Sequence, residues 1–269
     1  MSKYKYLITS GCSFSERMAK NWPKFLSEDA ELSLINVAAP SAGNTWISKS
    51  AIYSAHQLLK TEIDPSDILI IVMWSGIDRV DSFVSTDSLN FNDLITSLPS
   101  GPNPVNFLDT PLEGWISNTT DGYLLGSISA NFNKYISEFK KSLIMDHLSE
   151  EALAIESYEN FLKLQWFCQS NHIKLINLTY MDIMHYPSTP LITRPAAKLT
   201  KDYYRNVEPL HEMIDFTNWL FWKNTQGLYE YTKQNNLPFA DDQQHPHLIA
   251  HRHYVDNYLL PKLKERNIL

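Results

Sequence analysis

Asp67-Ile68-Leu69-Ile70-Ile71-Val72-Met73-Trp74 decides the fold of this chain. Seven apolar residues follow the aspartate without a polar break, too few for a helix of ordinary length and rich in β-branched types. A strand exposed on one face would alternate apolar with polar residues. An unbroken run is what a parallel strand covered on both faces requires. Working outward, Tyr4, Tyr6, Leu7 and Ile8 form a β-prone run that stops at Ser10 and Gly11, a strand followed at once by a turn. Residues 32–37 form another run, and 46–59 between them are expected to be helical. Downstream, Ile155, Tyr158, Leu162 and Trp166 recur at spacings of 3, 4 and 4, one face of a helix, ahead of a fourth strand over 173–178.

Strands alternating with helices call for a parallel sheet layered with helices, because parallel neighbours need a crossover that returns over the sheet. In such a fold, ligands bind at the C-terminal ends of the strands. The chain of 269 residues is expected to be one domain, 1–269. Two stretches break the alternation, at about 80–125 and 182–225. They are expected to be insertions, candidate lids or substrate walls, with Trp115, Tyr186, Trp219 and Trp222 available to line a pocket.

A formal charge of −7 gives no electrostatic reason to expect a nucleic-acid partner. Cys12 and Cys168 are too few for a disulfide framework, and no run of apolar residues is long enough for a membrane span. A cytoplasmic location is expected, since the first residues lack the apolar core of a secretory signal.

Two motifs carry chemistry. Gly11-Cys12-Ser13-Phe14-Ser15 directly follows the first strand, where a turn can present a hydroxyl and backbone N–H groups to the crevice. Asp241-Asp242-Gln243-Gln244-His245-Pro246 lies near the other end, after a short β-prone run at 237–240. A carboxylate three residues before an imidazole can hold the ring in the tautomer whose second nitrogen faces a serine. Without such a base a serine hydroxyl is a poor nucleophile. The competing reading makes Ser13 a helix N-cap, Asp242 a cap and His245 a surface residue. A further one makes His245, His247, His251 and His253 metal ligands, but no H-E-x-x-H is present, and neither a metal nor a cofactor is assigned.

The G-x-S block on strand one and the D-x-x-H block before the last helix resemble blocks I and V of the SGNH, or GDSL-like, hydrolase family. The resemblance implies a three-layer α/β/α sandwich with a flavodoxin-like sheet. It also implies Ser13 as nucleophile, His245 as general base and then acid, and Asp242 as orienter. Cys12 stands where the family has aspartate. The family builds its oxyanion hole from the nucleophile's own N–H, here that of Ser13, a block II glycine N–H and a block III asparagine. In residues 36–44 the glycine position falls on Ser41 when counted from Asn36, and on Gly43 by residue type.

Trp74-Ser75-Gly76-Ile77-Asp78-Arg79 stands at block III without an asparagine, so Asn44 is expected to supply the missing donor, unless it caps the following helix. Trp74, Asp78 and Arg79 are candidate substrate-pocket residues, with an ion pair of Arg79 to Asp78 or to a neighbour in the insertion as the alternative. The function expected from the resemblance is hydrolysis of a carboxylic ester, such as an acetyl ester on a small molecule or glycan, through a Ser13 acyl-enzyme. The rival expectation is a degenerate SGNH fold that binds a glycan or partner without turnover.

Overall fold

A computed structural model describes residues 3–15, 20–39, 42–77, 79–85, 121–127, 150–184, 201–242 and 244–269. Strands β1 (Tyr6–Gly11), β2 (Ser33–Asn36), β3 (Ile68–Trp74) and β6 (Lys174–Thr179) form one all-parallel sheet in the order β2-β1-β3-β6. Ile8 lies opposite Ile35 on one side and Ile70 on the other, and Ile71 lies opposite Ile176. All seven residues of β3 are buried, as its unbroken apolar run requires of a central strand.

Helices α2 (Asn44–Lys60), α3 (Glu150–Ser170) and α4 (Lys201–Glu212) lie side by side, with α2 against β1 and β3 and α3 against β6. A second group holds α1 (Trp22–Asp29), α5 (Leu228–Gln234) and α6 (Leu248–Tyr254). Two helical layers around a parallel sheet make the three-layer α/β/α architecture. After α6 a π-helical turn, Val255–Leu259, leads into α7 (Leu260–Glu265). Pro261 has no N–H to give to a carbonyl one turn back, and the wider turn, closed by Leu260 N–H on the Val255 carbonyl, accommodates that loss.

The chain leaves β1 toward one edge of the sheet and β3 toward the other. A crevice therefore opens between their C-terminal ends, the switch point at which this class of sheet binds ligands. Ser13 begins the first turn beyond β1 and stands at that crevice.

The expected insertions differ from each other. β4 (Arg79–Ser85) and β5 (Asp121–Ser127) pair as an antiparallel ladder beside the main sheet, with Arg79 opposite Ser127. Trp115 and Tyr186 lie outside the described residues. In the second stretch, 201–225 belong to the sandwich. Leu220 N–H donates to the Asn177 carbonyl at 2.9 Å, and Trp219 bridges Asn177 in parallel at the free edge of β6. Trp219 and Leu220 are each 2% exposed, so they fill the place of a fifth strand and do not form a lid. Only two residues make that contact, too short a run to register as a strand in sequence.

A second correction concerns α3. Tyr158 and Leu162 are buried, but Trp166 is 46% exposed. The helix is covered by α2, the sheet and α4 together, so its buried surface includes Leu153, Ala154, Phe161, Leu164 and Cys168 and is wider than one stripe. Among the described residues no helix is long and apolar enough to cross a membrane.

Candidate active site

β1 ends at Gly11, and Ser13–Ser15 form a 3₁₀ turn closed by Ser15 N–H on the Cys12 carbonyl at 2.8 Å. A Cβ on residue 11 would lie 2.6 Å from Ser15 Oγ and 3.1 Å from the Met73 carbonyl, so the tightness of this turn requires glycine. Ser15 is fully buried and anchors the turn. Its Oγ accepts the Trp22 indole N–H at 2.9 Å, and its carbonyl accepts Asn36 Nδ2 at 2.9 Å. Cys12 is buried, whereas Ser13 remains half-buried beside the crevice. The types of Ser15, Trp22 and Asn36 alone give no sign in sequence of this shared contact.

The opposing group comes from the loop between α5 and α6. Ala240 N–H donates to the His245 carbonyl at 2.7 Å and His247 N–H to the Pro238 carbonyl at 3.0 Å, pinching the segment into a tight loop. Within it, Asp242 Oδ1 accepts the backbone N–H groups of Gln244 at 2.8 Å and His245 at 2.9 Å. Its Oδ2 takes the hydrogen bond from His245 Nδ1. The pair thus sits on an Asx-type turn and not on a helix, and the backbone bonds fix the carboxylate that orients the ring.

His245 Nε2 lies 2.7 Å from Ser13 Oγ, across 232 residues of sequence. The tautomer with its proton on Nδ1, directed at Asp242, leaves Nε2 bare to accept a hydrogen bond from the Ser13 hydroxyl. Partial burial pushes the Asp242 carboxyl upward, but the His245 and Gln244 N–H groups and the imidazole outweigh it and hold the carboxyl below its ordinary value. Asp242 is therefore an anion at neutral pH. The Phe14 ring stands 5.1 Å from the His245 ring and 5.0 Å, edge to face, from that of Tyr180.

The other histidines of this segment go separate ways. His247 caps α6 through Ile249 N–H, and His253 Nδ1 meets the Tyr231 hydroxyl at 2.6 Å. His251 is buried, and burial drives its imidazole down to about 3, so it stays neutral. Among the described residues no group of three His, Cys, Asp or Glu is placed to hold a metal ion.

Two of the four expected oxyanion donors, Gly43 and Asn44, are corrected by their partners. Ser41 lies outside the described residues. Gly43 N–H donates to Asp81 Oδ1 at 2.7 Å, and Trp46 N–H donates to Oδ2 at 2.6 Å. Gly43, the N-cap of α2, has no side chain with which to cap the helix, so Asp81 on β4 does so across the fold. A Cβ at Gly43 would meet the Arg79 carbonyl at 2.7 Å. Burial pushes the Asp81 carboxyl up to about 7, against the downward pull of these N–H groups.

Asn44 is the first residue of α2 and is buried. Its Nδ2 donates to the Ser75 carbonyl at 3.1 Å and to Ser157 Oγ at 3.0 Å, and its Oδ1 accepts Ser75 N–H at 2.9 Å. An amide nitrogen has two hydrogens, and both are in use. Asn44 therefore ties α2 to the end of β3 and to α3, and neither caps the helix nor faces Ser13 as a donor.

The candidate pocket residues also separate. Trp74 is fully buried, with its indole N–H on Asn177 Oδ1 at 2.9 Å and its ring 4.5 Å from Phe161, so it is core and lines no pocket. Ile77 is buried with Ala154 and Val207. Asp78 lies outside the described residues, and with it an Arg79–Asp78 pair, whereas within the insertion the Asp81 carboxyl feels the Arg79 charge, which pulls it downward. Arg79 is half-buried, its guanidinium carbon 5.7 Å from the centroid of the Tyr180 ring. A cavity of about 810 Å³ at the sheet edge, lined by Tyr158, His211, Phe216, Trp219 and Phe221, contains none of the Ser13, His245 and Asp242 side chains. Trp222, the last aromatic candidate, packs edge-on against Tyr231 and Tyr258.

Comparison with known proteins adds no name to this geometry: no protein-family model matches the chain, and no curated protein matches it significantly.

Proposed function

We propose that this protein is a serine hydrolase of the SGNH kind that cleaves a carboxylic ester, an acetyl ester on a small molecule or glycan being the favoured class. The reading is carried by the 2.7 Å contact between Ser13 Oγ and His245 Nε2, made at the switch point of the sheet with Asp242 behind the ring. Ser13 Oγ attacks the ester carbonyl carbon and passes its proton to His245 Nε2, while the carbonyl electron pair moves onto oxygen. Collapse of the tetrahedral species expels the alcohol, which takes the proton from His245. Water then attacks the acyl-enzyme with His245 again as base, and releases the acid and free Ser13.

A fluorophosphonate probe with turnover of p-nitrophenyl acetate tests this reading. Labelling at Ser13 and hydrolysis are both expected in the wild type and absent from Ser13→Ala. A wild-type protein that is neither labelled nor active would overturn it. The engagement of Gly43 and Asn44 in structural bonds favours the rival, a degenerate SGNH fold that binds a glycan or partner without turnover. Glycan binding that survives in the unlabelled protein would establish that rival.

A further inference from the structure

A general base works only when its ring is held to within about 0.5 Å of the geometry its nucleophile needs. His245 belongs to a loop, so its backbone has to be fixed by other means than a helix or strand. Its carbonyl accepts Ala240 N–H at 2.7 Å, and two residues on, His247 N–H donates to the Pro238 carbonyl at 3.0 Å. Between these bonds Phe239 and Pro246 face each other as an antiparallel bridge. Pro246 holds His245 to extended backbone conformations, has no N–H of its own, and is buried. A buried carbonyl such as that of Pro246 needs a donor.

That donor is the imidazole of His251. His251 lies on α6, where side chains lean toward the helix N-terminus and so back over the loop, and its own N–H takes the His247 carbonyl at 3.1 Å. The residue is 6% exposed, and among the described residues Nδ1 has no hydrogen-bond partner. The proton that meets Pro246 is therefore on Nε2. A second proton, on Nδ1, would be a buried charge with nothing to accept it. Burial first, and then the charges of His245 and His247, oppose that proton and hold the imidazole down at about 3. At neutral pH the clamp is thus a single tautomer.

Resting on the serine-hydrolase reading, we propose that His251 is a positioning residue, whose Nε2–H on the Pro246 carbonyl fixes the peptide that follows His245 and so aims the His245 ring at Ser13. The 2.7 Å contact of His245 Nε2 with Ser13 Oγ is the geometry it maintains. His251 touches neither substrate nor reacting atoms, and no proton passes through it.

The test uses the full chain with p-nitrophenyl acetate, with rates expressed per site titrated by a fluorophosphonate, in His251→Gln and His251→Asn. A glutamine carries its amide nitrogen as many bonds from Cβ as histidine carries Nε2, and so reaches the Pro246 carbonyl. An asparagine carries it at the level of Nδ1 and falls short. His251→Asn is expected to lower kcat by roughly 10²-fold, the cost of a misplacement of about 1 Å, with little change in KM. His251→Gln is expected to keep kcat within about threefold of wild type, a rescue by the N–H alone that a merely space-filling role would not give. Imidazole nitrogen NMR of the wild type is expected to show His251 protonated at Nε2 and bare at Nδ1 at neutral pH.

Wild-type kcat in His251→Asn overturns the proposal. A loss in His251→Gln as large as that in His251→Asn also overturns it, because the packing of the ring and not its N–H would then be at work. Should His251→Asn fail to fold, a loss of activity in folded His251→Gln, or a wild-type ring protonated at Nδ1, overturns it in the same way. If the wild type is neither labelled by fluorophosphonate nor active, the serine-hydrolase reading itself has failed, and the positioning role falls with it.

Discussion

The two sides of the crevice are built on opposite plans. On the Ser13 side, the polar groups of Ser13, His245 and Asp242 are directed at one another, and the backbone beneath them is locked by Ser15 and by the Ala240–His245 contact. On the facing side, around the start of α2 and the end of β3, the polar groups are directed into the protein. Asp81 caps α2, and Asn44 ties three elements together. Polar residues at the mouth of a sheet are thus no guide to chemistry until their partners are known. A buried donor must be satisfied by something, and the fold makes the first claim on it.

The largest effect that could break this contrast lies in His245 and Asp242, the proposed base and orienter. His245→Ala is expected to lower kcat roughly 10⁶-fold, and Asp242→Asn roughly 10⁴-fold, because an amide in place of the carboxylate favours the wrong tautomer. Steady-state kinetics on folded variants would check both. Equal activity in Asp242→Asn would mean that the Asp242–His245 contact is only a loop clasp.

Asn44→Ala sharpens the other side. Removing its amide leaves Ser75 and Ser157 groups without partners, and a stability loss of about 2–4 kcal/mol is expected in chemical denaturation. Turnover per folded molecule should stay within about twofold. A fall of roughly 10²–10³-fold in kcat at intact stability would return Asn44 to the oxyanion hole.

Asp81 offers a pH signature of the same contrast. Its carboxyl holds a proton up to about 7 in the folded chain, but only to about 4 when unfolded. Between those values the folded state binds more protons than the unfolded one. Its contribution is therefore complete below about pH 4 and is lost as pH rises through about 7. Asp81→Asn should remove that decline, seen as a melting-temperature difference from wild type that changes across this window. A constant difference would rule out the titration.

The smallest effect belongs to the Phe14 and Tyr180 rings beside His245. Phe14→Leu keeps an apolar neighbour for His245 but loses the edge contact with Tyr180, and a fall in kcat of up to about tenfold is expected, in line with 0.5–1.5 kcal/mol for an aromatic pair. A wild-type rate would confine these rings to packing.

Much of this was legible before any coordinates. The sequence by itself determined the parallel sheet, because a seven-residue apolar run such as Ile68–Trp74 can be satisfied only by cover on both faces. It also determined the types and order of Ser13, Asp242 and His245, since a glycine turn after a strand and a carboxylate three residues before a histidine are local patterns.

Tertiary structure alone decided which polar groups are spent. Gly43 and Asn44 look like donors in sequence, and nothing local says that Asp81, one of 30 acidic residues, closes on α2, or that Ser75 and Ser157 occupy the Asn44 amide. The same holds for Trp219 and Leu220, whose place at the sheet edge rests on partners in β6. The physical reason is common to all of them. Periodicity and turn chemistry are set by neighbours along the chain, whereas the satisfaction of a buried hydrogen bond is set by whichever distant residue the fold brings within about 3 Å.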